Sequence, residues 1–118
     1  MEFNREHYEG LLEEKRQLRM DLQNVNETRL QLKRELEDHR RQRQNLITMS
    51  KAEVYHKFGD ESACRRRIDL ISEQERLTDD RLQTQKIKEQ RLIRLLEEKN
   101  LSIDTMERSM ERKLVVLQ

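Results

Sequence analysis

The chain has 118 residues, 33% apolar and 42% charged, with no proline, no tryptophan and only four aromatic residues. That composition excludes a spherical core and suits helices that bury a stripe. The near balance of 25 Lys and Arg against 24 Asp and Glu argues against nucleic acid or a charged membrane surface as principal partner.

The acidic opening has no apolar signal core, and no apolar run approaches the roughly 20 residues of a membrane span. A single cysteine, Cys64, rules out an internal disulfide framework and suits a reducing compartment, so a cytoplasmic location is expected.

The first predicted element is a helix with a seven-residue repeat over about 4–46. One core row holds Leu11, Leu18, Val25, Leu32 and Leu46, with Asn4 before them and His39 among them. The other holds Tyr8, Leu22 and Leu36, with Lys15, Arg29 and Arg43 at alternate layers and Ser50 beyond. Past Leu46 this frame would bury Glu53, Asp60 and Arg67, so the register moves by one residue near 46–47.

The shifted frame runs over about 47–117. One row holds Ile47, Val54, Ile68, Leu82, Leu96, Ile103, Met110 and Leu117, with Glu61, Glu75 and Glu89 at alternate layers. Its companion holds Cys64, Ile71, Leu92 and Met106, with Lys57, Thr78, Gln85, Lys99 and Lys113. One extra residue relaxes a supercoil locally without ending a helix. A lone Gly59 costs a long helix only about 1 kcal/mol.

The charges inside the seam choose the partner strand. A parallel, in-register dimer would stack Arg29, Arg43, Glu75 and Glu89 each on its own copy, with like charges partly desolvated. An antiparallel alignment centred on Gly59 sets Arg43 on Glu75, Arg29 on Glu89, Leu36 on Leu82, Leu22 on Leu96 and Tyr8 on Met110. The adjoining layers set Leu46 on Ile71, Val25 on Leu92 and Leu11 on Met106, though they also leave Leu18 facing Lys99.

The expected fold is therefore all-α: an antiparallel two-stranded homodimeric coiled coil of near-continuous helices centred near Gly59. Two alternatives share the composition. One is a parallel dimer. The other is a helical hairpin turning at Gly59, favoured by Phe58-Gly59-Asp60, where glycine can stop one helix and Asp60 or Ser62 can cap the next. Residues 1–118 read as a single coiled-coil segment, and its uncapped apolar ending, Leu114 to Leu117, reads as a piece of a longer protein.

His7, His39, His56 and Cys64 are not spaced three or four apart on one helical face, so neither a metal, a cofactor nor a catalytic centre is expected. One surface feature suggests binding. Between His39 and Arg67 eight Lys or Arg, including Arg40, Arg41, Arg65, Arg66 and Arg67, face three acids. Such a zone can recruit an acidic protein, membrane or nucleic-acid surface.

The heptads and composition resemble segments of long coiled-coil scaffolds of the cytoskeleton, centrosome or membrane-tethering machinery. The function expected is structural self-association that spaces and orients attached domains. The chain itself is the first partner, with other proteins reached through flanking regions, and recruitment by the basic zone is the alternative.

Overall fold

The computed structural model describes residues 4–117, with side chains described through Leu114, so the core position assigned to Leu117 lies outside the described side chains. It contains three helices, α1 (Arg5–Ile47), α2 (Lys51–Phe58) and α3 (Glu61–Leu117), and no strand among the described residues. The all-α expectation holds.

Local chemistry explains the helices. Proline is absent and strong helix formers dominate. Short-range ion pairs line the solvent faces, among them Arg5 with Glu9 at 3.2 Å, Arg16 with Glu13 at 2.7 Å, and Arg76 with both Glu73 and Asp80. Exposed pairs of this kind contribute only about 0.3–0.5 kcal/mol each. Asn4, assigned above to a core row, instead caps α1: its side-chain oxygen accepts a hydrogen bond from the His7 N–H at 3.1 Å.

The chain leaves the helix twice near its middle, which corrects the expectation of a near-continuous helix. At the first break, α1 ends at Ile47 and Thr48 folds its hydroxyl back onto the Gln44 carbonyl at 2.9 Å. Ser50, in extended conformation, then caps α2 by accepting from the Glu53 N–H at 3.2 Å. The one-residue shift of the heptad frame thus marks a helix end, not a relaxed supercoil.

At the second break Gly59 has φ +85°, a backbone region that side chains disfavour. Its N–H closes α2 on the Tyr55 carbonyl at 2.9 Å. Asp60 opens α3 by accepting from the Ala63 N–H at 2.7 Å. One end of α2 is therefore capped by Ser50, which the heptad frame treats as an ordinary layer, and the other is closed by Gly59, which lies outside the core rows.

The described residues form two compact units. The first joins the segment up to Asn26 with the segment from Ile87 onward. Its buried cluster is Leu11, Ile103 and Met106, with Tyr8 packed against it. The second unit is Glu27–Lys86 and has two clusters. Leu32, Leu36 and Leu82 form one. Leu46, Val54, Cys64 and Ile71 form the other, with Met49, Phe58 and Ile68 packed around them. Ile71 is the most deeply buried side chain among the described residues, at 1% exposure.

Candidate functional site: the charged seam and the chain reversal

Heptad spacing brings apolar residues to one face of each helix, and burial follows it closely. Leu11, Leu32, Leu36, Leu46, Val54, Ile71, Leu82, Ile103 and Met106 are buried. Leu18, Leu22, Val25, Ile68, Leu92, Leu96 and Met110 are half-buried, as are Arg29, Arg43, Glu75 and Glu89. Thr78 and Cys64 are buried as well. The exceptions lie beside the breaks and near the two ends: Asn4, Ile47, Ser50, Lys57, Glu61 and Lys113 are exposed.

The contacts that bury these residues are made within one chain. In the second unit the Arg43 Nε–H donates to Glu75 Oε1 at 2.5 Å, with Arg43 35% and Glu75 15% exposed. The apolar neighbours of this layer are Leu46 with Ile71 on one side and Leu36 with Leu82 on the other. A charge pair seated between apolar layers favours one register over its neighbours, because a slip by one layer would leave each charge against a side chain that cannot pair with it.

In the first unit two contacts depart from the predicted layers. Lys99, expected opposite Leu18, extends to an ion pair with Glu14. A long aliphatic stem lets lysine cover apolar surface while its ammonium reaches an acid one turn away. Tyr8 donates its phenolic hydrogen to Glu107 Oε1 at 2.8 Å, where Met110 was expected beside it. That hydrogen bond, then burial and the carboxylate charge, raise the Tyr8 phenol above its ordinary range. Neither partner, Glu14 or Glu107, belongs to a core row, so the heptad count alone does not reveal them.

The basic zone, 39–67, brackets the chain reversal over 48–60. Arg40, Arg41, Arg65, Arg66 and Arg67 are all exposed, and so are Lys51 and Lys57. Arg41 lies 3.6 Å from Asp38 and Arg65 lies 4.0 Å from Glu61. By contrast Arg40, Lys51, Arg66 and Arg67 form no ion pair among the described residues. Two of the three acids are engaged locally at helix starts: Glu53 accepts from the Ser50 hydroxyl at 3.2 Å, and Asp60 caps α3. Positive charge is left facing outward.

Beside this surface an open groove of about 590 Å³ runs between the end of α1, α2 and the start of α3. Its apolar lining is Leu46, Met49, Phe58 and Ile71, and Lys57 and Arg67 stand at it as cations. Gln42 and Asn45 present amides, and Glu53 is its one acid. The reading from heptads missed this groove because it led with a near-continuous helix and kept the turn at Gly59 only as an alternative. Ser50-Lys51-Ala52-Glu53, the sequence of a capping box, was the signal that could have shown it.

Among the described residues no group of three His, Cys, Asp or Glu side chains is placed to hold a metal ion, and no helix is long and apolar enough to cross a membrane. No family model, curated protein or solved structure matches this chain.

Proposed function

We propose that the chain is a structural module: an antiparallel coiled coil, closed on itself as a helical hairpin by residues 48–60, that sets the spacing and orientation of segments attached to its ends. The observation that carries this reading is the Arg43 to Glu75 pair, flanked by Leu36 with Leu82 and Leu46 with Ile71, all inside one chain. The same layers would form between two chains in an antiparallel dimer, which is the hairpin with its turn opened and its arms exchanged. Connectivity favours the hairpin. A short connection holds the second arm at an effective concentration on the order of millimolar, so an intermolecular competitor prevails only at comparable protein concentration or where the turn is strained.

Tyr8 with Glu107 and Leu11 with Ile103 and Met106 support the spacing role, since they hold sequence-distant segments side by side. Segments joined to the two ends would leave from neighbouring positions.

Light scattering at micromolar concentration is expected to give the 14.5 kDa mass of one chain. A Val54→Cys substitution provides the second readout, because Val54 and Cys64 share one cluster. Mild oxidation should join the introduced thiol to Cys64 within the chain. A mass twice that of one chain, with crosslinks between chains, would replace the hairpin by the exchanged dimer. A poorly helical monomer would remove the structural reading altogether.

A further inference from the structure

The groove beside the chain reversal opens over the seam layer of Leu46 and Ile71, and its composition specifies a ligand class. We propose that it is a docking site for an acidic peptide segment that carries bulky apolar side chains. The inference goes beyond the spacing role, since the groove belongs wholly to the unit formed by Glu27–Lys86.

Three features argue for this occupant. First, Met49 and Phe58 are only half-buried and stand in the groove above the buried Leu46 and Ile71, so an inserted apolar side chain would cover surface now facing water. Second, Lys57 and Arg67 stand at the same groove, and Arg67 is without an ion pair among the described residues, as are Arg40, Lys51 and Arg66 nearby. Lys57 lies 5.7 Å from the Phe58 ring centroid, a contact that leaves its ammonium available to an acid. Third, Gln42 and Asn45 supply both donors and acceptors, which match a peptide backbone.

Other anionic partners fit less well. Duplex nucleic acid offers phosphate but no aliphatic side chain for the apolar lining, and its affinity comes mainly from cations that neutralise phosphates. A lipid surface would engage exposed cations without entering a concave site. An acidic, apolar peptide uses the lining, the amides and the cations together.

The test uses the full chain and a blocked synthetic peptide alternating Glu with Leu, labelled for fluorescence anisotropy. Polyglutamate of equal charge, vesicles of phosphatidylserine in phosphatidylcholine, and duplex DNA serve as comparison ligands. The Glu-Leu peptide should bind more tightly than each of the three at physiological salt. Lys57→Glu with Arg67→Glu should weaken it about tenfold, the sum of two modest charge reversals. Arg40→Glu with Arg66→Glu makes the same change in net charge outside the groove and should weaken it by much less. Circular dichroism of both double variants confirms that each remains helical. Amide resonances of Gln42, Asn45, Met49 and Phe58 should move on titration. Equal losses in the two variants, equal binding of polyglutamate, tighter binding of vesicles or DNA, or no peptide binding would each overturn the proposal.

Discussion

The two compact units use one heptad plan with different means of closure. In Glu27–Lys86 the seam is covalently closed: the chain turns through Ser50 and Gly59, and α2 lays Val54 and Phe58 against Leu46, Cys64 and Ile71. In the other unit no turn joins the paired segments, and the buried cluster is the smaller one of Leu11, Ile103 and Met106. Polar contacts from the flanks, Tyr8 to Glu107 and Lys99 to Glu14, accompany it. The difference teaches that a seam of uniform period need not have uniform stability. Layers near a turn pay little entropy to meet, while layers far from it depend on those already formed.

The largest effect should come from cutting the closed unit. Ile71→Ala removes the most buried side chain and should cost about 2–5 kcal/mol, as large cavities in packed cores do. Ile103→Ala, nearly as buried, should cost about half as much, because the open unit can relax or fray around the void. Chemical denaturation compares the two, and equal losses would remove the distinction between the units.

A smaller effect tests the turn itself. Gly59→Ala places a side chain in open space but at φ +85°, so its cost, about 1 kcal/mol, is purely one of backbone. Ser50→Ala removes the cap of α2 and should cost a similar amount, about 1 kcal/mol. Together they weaken the turn relative to a continuous helix and should move the population toward a dimer of exchanged arms. Light scattering at rising concentration reads that shift. A double variant that stays monomeric would show that other residues hold the reversal.

The smallest effect belongs to the open unit. Its Tyr8 phenol is raised by Glu107, so the contact stabilises the fold fully below the ordinary phenol range and is lost as pH rises through the raised value. Glu107→Gln should return the Tyr8 ionisation, followed by ultraviolet absorbance, toward the ordinary range with only a slight loss of thermal stability. An unmoved ionisation would break the assignment.

Most of the seam was legible because its information is local. Leu11 with Leu32, and Leu82 with Ile103, recur at multiples of seven residues, Leu36 falls in the companion row, and any helix with that spacing gathers such residues on one face. Arg43 with Glu75 was legible too, since like charges disfavour a parallel alignment. Connectivity was not, because the antiparallel layers are the same within one chain as between two. What distinguishes them is backbone chemistry at Ser50, Glu53, Gly59 and Asp60, each a modest contribution that a frame of apolar residues ignores. The unbroken phase from Ile47 through Val54 to Ile71 misled for a related reason. Val54 is buried because α2 folds back on Leu46, not because a single helix passes through it. The groove was hidden for the same cause, since it exists only where the chain turns.

The pairing of Tyr8 with Glu107 sets how the open unit would bear a load. A tension that draws its two segments apart sideways meets this contact, then the cluster of Leu11 with Ile103 and Met106, then Glu14 with Lys99, so resistance is offered one layer at a time. A tension along the helix axes would strain all of those layers at once. The unit is therefore a compliant element under peeling and a stiff one under sliding, and the direction of force decides which.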